Sequence, residues 1–253
     1  MKIMTSNLCS WGEGSCAISQ RMPRIKTVYE KYAPDFIGVQ ECTEDWLRYL
    51  QRELSDYALI GCGRDPESTG EASCIFYRKE SFTVSDPRTF WLSETPEKVS
   101  LGWDGACRRV CTTGIFTELT MGNKLSFFNT HLDHIGQEAQ LHGGELIRQE
   151  ILKSSPPCIL TGDFNVTETS AVYGLFRGLL QDTRYAAKES TLLGTWHNFG
   201  EFTNIANELP IDHIFVSPAY SVLSYTVIED KIGEEYISDH YPVLVEIQPQ
   251  KKD

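Results

Sequence analysis

The sequence predicts an α/β or α+β fold in one domain over residues 1–253, and three observations lead to that prediction. Apolar residues alternate between the spacing of strands and the spacing of helices along most of the chain. Neither a Pro- or Ser-rich linker nor an internal repeat divides it, so one domain explains 253 residues better than two. Hydrophobic residues make up 41% and charged residues 23%, which is typical of a globular protein and argues against disorder or a coiled coil.

The order of helices and strands follows from the apolar spacing. One helical face ends before Pro34 and has Pro23 near its start, and Thr43 is the expected N-cap of the next helix. These two helices are predicted at 23–33 and 43–54, and two more are predicted at 137–152 and 171–180. The predicted strands are 2–4, 35–41, 57–60, 73–77, 112–119, 124–131, 158–161, 211–216, 222–228 and 243–247. The turn-rich stretches 65–72 and 93–107 are expected to be surface loops that carry binding residues.

The charge and the cysteines narrow the class of function. The formal net charge of −12 disfavours a broad basic surface for nucleic acid, whereas an acidic enzyme binds phosphate by recruiting a divalent cation. Because no run approaches the ~18 apolar residues of a membrane helix, no membrane association is expected. The N-terminus does not resemble a signal peptide, and the eight scattered cysteines contain no CxxC pair, so we expect reduced thiols and a cytoplasmic protein.

Polar residues cluster where predicted apolar strands begin or end, which core packing does not require. The residues in question are Asn7, Glu41, Asn129, His131, Asp163, Asn165, Asp212, Asp239 and His240. Strand ends at one edge of a sheet bring together residues that are distant in the sequence. Carboxylates, amides and histidines in such a set suit a hard divalent cation together with an acid–base pair.

Two short motifs carry the most specific signal. In Thr161-Gly162-Asp163-Phe164-Asn165, the glycine permits a close turn that aims Asp163 and Asn165 out of a strand end. In Ser238-Asp239-His240-Tyr241-Pro242, an acid and a base stand side by side before a strand. Taken singly, each motif is also compatible with an ordinary turn, because Gly, Asp and Asn are turn residues.

The two motifs occur downstream of Gln40-Glu41 and Asn129-Thr130-His131-Leu132, and this order from Asn7 to His240 resembles the endonuclease/exonuclease/phosphatase superfamily of DNase I-like phosphoesterases. The segments Phe90–Pro96 and Gly102-Trp103-Asp104 resemble a little-characterised bacterial branch of that superfamily. The resemblance implies a four-layer α/β/β/α sandwich of two packed mixed sheets, with the active site at one end.

The resemblance also implies a metal site and an attacking water. Glu41 and Asn7 would hold Mg²⁺, for which Mn²⁺ is a possible substitute, and Asp239 would contribute directly or through water. Asp163 would position or deprotonate the water, helped by Asn165. Magnesium prefers octahedral oxygen ligation and keeps several waters, so a carboxylate and an amide are an adequate protein contribution.

On the phosphate side, the resemblance implies that His240 contacts the scissile phosphate and that Asp212 orients the imidazole. His131 would face the same phosphate, as a ligand or as an acid. Three further residues are expected to bind the substrate: Tyr77, Arg109 and Asn129. Asp133 and His134 have two interpretations, as residues of a solvated turn or as contacts to the substrate.

The predicted function is a Mg²⁺-dependent hydrolase of a small phosphorylated molecule or a short phosphodiester, with no protein partner indicated. A nuclease acting on RNA or single-stranded DNA is an alternative, in which Trp91, Trp103 and Trp196 would stack on bases. Acidic residues in both long loops make duplex DNA an unfavourable substrate. A catalytically inactive binding protein is a third interpretation, but it predicts the loss of a chemical residue, and all of them are present.

Overall fold

Strands and helices alternate along the chain in the computed structural model, which describes residues 1–202, 204–205 and 208–250. The strands are β1 (Lys2–Asn7), β2 (Phe36–Gln40), β3 (Tyr57–Ile60), β4 (Ile75–Arg78), β5 (Phe82–Trp91), β6 (Val110–Glu118), β7 (Lys124–His131), β8 (Cys158–Asp163), β9 (Gln181–Asp182), β10 (Glu189–Ser190), β11 (Asp212–Val216), β12 (Tyr220–Val227) and β13 (Val243–Pro249). The helices are α1 (Ile18–Tyr32), α2 (Glu44–Glu53), α3 (Gln137–Lys153), α4 (Ala171–Arg177) and α5 (Thr183–Ala186). Among the described residues, no helix has both the length and the apolar character needed to cross a bilayer.

The strands form two mixed sheets. The first has the order β10-β12-β13-β1-β2-β4-β3, and the second has the order β5-β6-β7-β8-β11-β9. Each sheet has a parallel pair at its centre, β1 with β2 and β7 with β8, flanked by antiparallel neighbours. This topology confirms the two packed mixed sheets that the sequence predicts.

Three apolar clusters show how the layers stack. Neighbouring strand residues point to opposite faces, so Phe127 lies between the two sheets whereas Phe128 packs toward α3 and α4. On the first sheet, Ile3 faces the second sheet and Met4 packs toward α1 and α2. Helices therefore cover both outer faces, and both faces of each sheet are buried, as in the four-layer α/β/β/α sandwich that was predicted.

The central strands of both sheets deliver their polar ends to the same end of the sandwich. Parallel pairing aligns the end of β1 with the end of β2, and the end of β7 with the end of β8. The antiparallel neighbours β11 and β13 start at this end, opposite the ends of β8 and β1. As a result, residues at the ends of β1, β2, β7 and β8 and at the starts of β11 and β13 face one cleft.

Glycines in α3 permit close packing. Gly143 and Gly144 were expected to weaken this helix, yet it runs unbroken from Gln137 to Lys153, and both glycines are buried. A Cβ atom would lie 3.3 Å from Leu92 Cβ at the first position and 3.1 Å from Leu175 Cδ1 at the second. The lower helix propensity of glycine is thus offset by contact with α4 and with the end of β5.

The start of α1 differs from the prediction. The helix begins at Ile18, so Pro23 is its sixth residue and lies inside it. Proline has no N–H to donate to the carbonyl of Ser19, but Ser19 is an exposed residue of the first turn. Thr43 is the N-cap residue of α2, as predicted by position, although its hydroxyl makes no capping hydrogen bond.

Candidate active site

Asp163, the last residue of β8, is the centre of the predicted catalytic residues. The register places it opposite His131 of β7 and opposite Asp212 of β11. Its Oδ2 atom accepts a hydrogen bond from Asn7 Nδ2 at 2.9 Å and lies 3.4 Å from His131 Nε2 and 3.8 Å from His240 Nε2. Four strands from both sheets therefore contribute groups around one buried carboxyl group.

His240 and Asp212 form a buried pair beside Asp163. His240 Nδ1 lies 2.8 Å from Asp212 Oδ2. Burial disfavours the charged imidazole, but the charge and the hydrogen bond of Asp212 outweigh burial and raise the pKa of His240 well above its ordinary value. The ring is thus held as an imidazolium whose second nitrogen faces Asp163. The other oxygen of Asp212, Oδ1, is buried without a hydrogen-bond partner among the described residues.

The pKa of Asp163 is raised to about 7. Burial is the main cause, and the neighbouring charge of Asp212 adds to it. The positive charge of His240 and a hydrogen bond from the Asn165 backbone N–H oppose the increase. A carboxyl group with this pKa is suited to accept a proton near neutral pH.

His131 stands next to Asp163 as a neutral imidazole. Burial is the main cause that lowers the pKa of His131 well below its ordinary value, and the positive charge of Arg109 adds to it. Asn165 Nδ2 lies 3.0 Å from His131 Nε2 and donates to the carbonyl of Leu132. Asn165 has a φ of 50°, in the left-handed region that asparagine tolerates better than most residues. This conformation holds the amide against the imidazole.

Glu41 lies across Asn7 from Asp163. The Asn7 Nδ2 atom donates to Glu41 Oε1 at 3.0 Å, and Ser10 donates to Oε2 through its backbone N–H at 2.7 Å and its hydroxyl at 2.8 Å. Burial raises the pKa of Glu41, but these hydrogen bonds outweigh burial and lower it below its ordinary value. Glu41 also has a φ of 54°, which is uncommon for this residue type and is maintained here by its surroundings.

The donor set around Asp163 fits a divalent cation. One atom from each of Asp163, Asp212 and His240 lies within 4.8 Å of the other two, and the two carboxyl groups are the members of this cluster that could face a cation, because the imidazolium of His240 has no free lone pair. Glu41 adds an ionised carboxylate, and the charge of Asp239 contributes to the raised pKa of His240. Carboxylate oxygens are the ligands that Mg²⁺ and Mn²⁺ prefer, and they outnumber the positive groups here.

Arg109 forms the positive side of a small cavity next to Glu41. The cavity has a volume of about 10 Å³, enough for about one water molecule, and Arg64, Glu71 and His131 also line it. Arg109 is 7% exposed, and its Nε and Nη1 atoms have no hydrogen-bond partner among the described residues. Its Nη2 atom lies 3.3 Å from Nδ1 of His134, which is exposed. A buried guanidinium with unpaired donors is suited to bind an anion.

Tyr77 is far from this cavity, so its prediction as a substrate-binding residue is wrong. The register pairs Tyr77 with Phe36 at the start of β2, five residues before Glu41, which is ~16 Å at about 3.3 Å per residue. The ring packs against Phe116 between the two sheets, with 5.0 Å between ring centroids. Tyr77 is therefore a core residue.

The prediction of Asn129 as a substrate-binding residue is also wrong. Its side chain is fully buried, and its Nδ2 atom donates to the carbonyls of Val39 and Cys74 at 2.8 and 2.9 Å. Its Oδ1 atom accepts from Gln40 Nε2 at 2.7 Å and from Thr161 Oγ1 at 2.9 Å. With both its polar atoms occupied, Asn129 links the two sheets and has no group left for a substrate.

Three residues that support the site were not predicted from the sequence: Ser10, Thr195 and Ser238. Ser10 holds Glu41, and the Ser238 hydroxyl donates to the Asn7 carbonyl at 2.7 Å. The Thr195 hydroxyl accepts from the Asp212 backbone N–H at 3.2 Å. These partners are 17 to 231 residues apart in the sequence, so no local pattern marks Ser10 or Thr195, whereas Ser238 stands in the motif that contains His240.

Comparison with known proteins identifies the family of this chain. Residues 19–240 match the Endonuclease/Exonuclease/phosphatase family, which spans most of the chain. The chain belongs to this family. Members of the family and the related structures are phosphoesterases and nucleases that generally depend on a divalent metal ion, so the chain is a metal-dependent phosphoesterase, as predicted.

Individual relatives agree with the family assignment. The chain is 36% identical to a mannosyl-6-phosphatase from Bacteroides thetaiotaomicron, over 98% of this chain and 99% of that chain, with a TM-score of 0.90. It is 28% identical over 251 residues to an uncharacterized protein of Acanthamoeba polyphaga mimivirus, covering 89% of this chain and 90% of the relative. The human Nocturnin catalytic domain shares the fold, with 18% identity, a TM-score of 0.77, and coverage of 99% of this chain and 93% of that domain.

Proposed function

We propose that this phosphoesterase hydrolyses phosphomonoesters of small molecules, with Mg²⁺ or Mn²⁺ as its cofactor. The observation that carries the proposal is the surroundings of Asp163. A single carboxyl oxygen lies within 2.9 to 3.8 Å of an amide donor and two imidazoles, Asn7, His131 and His240. One acid–base group next to fixed donors is the arrangement that water attack on a phosphate requires.

In the proposed reaction, Asp163 takes a proton from the attacking water as the water oxygen bonds to phosphorus. The ester P–O bond then breaks, the departing alcohol oxygen takes up a proton from solvent, and Asp163 returns its proton to solvent. The imidazolium of His240, charged because of Asp212, donates a hydrogen bond from Nε2 to a phosphoryl oxygen and stabilises the charge that builds up there. His131 and Asn165 hold the opposite side of the same phosphate.

The cation would be held by Glu41 and Asn7, with Asp239 contributing directly or through water. When bound, it supplies positive charge that neutralises the phosphate oxygens. Asn7 orients the two carboxyl groups toward each other, because its amide nitrogen donates to both Glu41 and Asp163. Ser10 keeps Glu41 ionised and fixed in place.

A monoester is favoured over a diester by Arg109. A terminal phosphate has an additional unesterified oxygen, and Arg109, beside Glu41, has buried donors without a partner among the described residues that can bind it. A diester carries a second organic group in place of that oxygen. The mannosyl-6-phosphatase relative makes a sugar phosphate the first candidate substrate.

We also propose a reducing, cytoplasmic setting, in keeping with eight free cysteines.

Hydrolysis of four substrates tests the proposal: phosphate release from a hexose 6-phosphate and from 4-nitrophenyl phosphate, 4-nitrophenol release from bis(4-nitrophenyl) phosphate, and shortening of a labelled RNA on a denaturing gel. Each is assayed with Mg²⁺, with Mn²⁺ and with EDTA, and Asp163→Asn is the inactive control. We expect hydrolysis of the two monoesters, dependent on metal and absent in the control. Preferential cleavage of the RNA would support a nuclease instead, and activity that persists in EDTA would contradict the metal assignment.

A further inference from the structure

An exposed aromatic pair, Trp196 and Phe202, lies beside the catalytic cleft. Both side chains are 44% exposed, and their ring centroids are 4.8 Å apart. Exposing two large apolar rings costs free energy that burying them would recover. A pair of this kind near an active site therefore calls for an explanation in terms of binding.

The register places Trp196 next to His240. The two residues pair directly across an isolated antiparallel bridge. The hydrogen bonds of this bridge come from the neighbouring residues: Tyr241 N–H donates to the Thr195 carbonyl at 2.7 Å, and His197 N–H donates to the Asp239 carbonyl at 3.0 Å. Trp196 and His240 are thus a non-hydrogen-bonded pair, in which the two side chains are close and share one face of the ladder.

The backbone that carries Trp196 is fixed on both sides. Thr195 is fully buried, and its hydroxyl accepts from the backbone N–H of Asp212, the partner of His240. His197 is 1% exposed, and its ring packs between Tyr236 and Tyr241, with centroid distances of 4.5 and 4.0 Å. Trp196 is therefore an open side chain on an anchored segment, and little additional ordering is needed when a ligand contacts it.

The other two tryptophans considered for stacking already have contacts of their own. Trp91 Nε1 donates to the backbone carbonyl of Arg64 at 2.7 Å. The Trp103 ring packs against the His142 ring, with 5.0 Å between centroids. Neither pairs with a residue of the catalytic set, whereas Trp196 does.

We infer that Trp196, supported by Phe202, is the platform on which the ring of the substrate's leaving group stacks, and that it determines which phosphomonoesters are preferred. The inference rests on the proposed function, because His240 must contact the phosphoryl group for Trp196 to contact what is attached to it. The ligand chemistry is a ring with an apolar face, which both the C–H face of a sugar and an aromatic ring provide.

The test compares kcat/KM for glucose 6-phosphate, 4-nitrophenyl phosphate and glycerol 1-phosphate, which represent a sugar ring, an aromatic ring and no ring. In Trp196→Ala, kcat/KM for the ring-bearing substrates relative to glycerol 1-phosphate should fall by about tenfold, mainly through KM. Trp196→Phe keeps an aromatic face and should lose less. Leu119→Ala, which removes another exposed apolar side chain after the far end of β6, should leave the ratio unchanged.

The outcomes separate the platform from the proposed function. If kcat/KM in Trp196→Ala falls for only one of glucose 6-phosphate and 4-nitrophenyl phosphate, the kind of ring that stacks on Trp196 is identified. If kcat/KM relative to glycerol 1-phosphate stays within twofold of wild type for both, the platform is overturned. If wild type hydrolyses none of the three, the proposed function fails, and calorimetry with glucose 6-phosphate then decides. A tenfold weaker affinity in Trp196→Ala supports the platform, whereas equal affinity or no binding to wild type overturns it.

Discussion

Asn7 lies between the carboxyl groups of Glu41 and Asp163, and its contacts explain why an amide is needed there. Its Nδ2 atom donates to Glu41 at 3.0 Å and to Asp163 at 2.9 Å, and its Oδ1 atom accepts from the Cys9 backbone N–H at 2.9 Å. A carboxylate in its place would repel both neighbours, and an apolar residue would remove the donor that the two carboxyl groups share. One side chain thus holds the proposed metal ligand and the proposed base in a fixed relation.

The metal assignment predicts that Glu41→Gln weakens Mg²⁺ binding at least about tenfold, and more than Asn7→Ala does, because the glutamine removes a negative charge as well as a ligand oxygen. Isothermal titration calorimetry measures both affinities. Glu44→Gln, an exposed acidic residue at the start of α2, is the matched control and should bind Mg²⁺ as wild type does. Unchanged affinity in Glu41→Gln would show that the cation binds elsewhere.

Asn129 gives a prediction about stability. Asn129→Ala removes four buried hydrogen bonds, so the free energy of unfolding should fall by about 3 kcal/mol or more. Urea denaturation measures the change. Asn123→Ala removes an exposed amide that bonds to Glu118 and should have little effect. A loss below about 1 kcal/mol in Asn129→Ala would contradict its role as a link between the sheets.

The sequence predicts individual site residues well where a motif fixes their local geometry. It predicts them poorly where a partner distant in the sequence determines what the side chain contacts. Asp163 and His240 stand in specific motifs, and the fold brings them to within 3.8 Å of each other. Tyr77 and Asn129 occur in strands without such a motif. Strand pairing decides that Tyr77 lies at the end of its strand away from the cleft. Packing of the two sheets decides that the Asn129 amide contacts the other sheet and no substrate. Neither is local in the sequence.

At the scale of elements, the long loop 93–107 is fastened to the start of α3 by one carboxylate. Asp133 Oδ2 accepts from the backbone N–H groups of Ala106 and Cys107 at 2.9 and 3.3 Å. Its Oδ1 atom accepts from those of Ile135 and Gly136 at 2.9 and 2.8 Å. Of the two interpretations offered by the sequence, the turn is therefore the better account of Asp133, which is 2% exposed.

This arrangement predicts a pH-dependent stability. Burial raises the pKa of Asp133, but the backbone hydrogen bonds outweigh burial and lower it. The folded pKa is thus below the unfolded value of about 3.9, so the stabilisation is present above that value and is lost as pH falls through the folded pKa. Asp133→Asn should unfold about 2 kcal/mol more easily at pH 7.

Thermal denaturation from pH 7 to pH 3 checks the sign. The difference between wild type and Asp133→Asn should narrow below about pH 4, because wild type loses the charge that the variant lacks. Asp45→Asn alters an exposed aspartate of α2 and is the control, which should unfold within about 0.5 kcal/mol of wild type at pH 7. A difference that stays constant over the whole range would mean that charge plays no part in holding the loop.

The longest element that sequence patterns missed is β5; the short β9, α5 and β10 were missed as well. Strand β5 carries Pro87 and a left-handed Asp86, with a φ of 51°, at a register shift between Ser85 and Arg88. As the edge strand of the second sheet it tolerates a proline and an exposed face, so its sequence lacks the apolar alternation of a buried strand. Central strands, which must bury both faces, were predicted for the same physical reason, although β1 and β8 extend three and two residues beyond the predicted 2–4 and 158–161.

For the whole molecule, the charge distribution limits the substrate. The net charge of −12 is spread over a surface whose loops contain acidic residues, whereas the unpaired buried donors of Arg109 suit one phosphate group. We therefore expect weak binding of duplex DNA at physiological salt. Fluorescence anisotropy with a labelled duplex and the matching single strand measures it. Tight duplex binding that falls steeply with added salt would contradict the small-substrate account.

The central claim is that Asp163 and His240 act on one phosphate, and a double-mutant cycle tests it most directly. With a confirmed monoester substrate, Asp163→Asn and His240→Ala should each lower turnover by ~100-fold or more, and Asp212→Asn should have a milder effect because the imidazole remains. The double variant should lose less than the product of the two single losses, since both groups serve one transition state. Melting temperatures on the same preparations exclude unfolding as the cause. If both single variants keep most of their turnover, or if the losses multiply fully, the claim is contradicted.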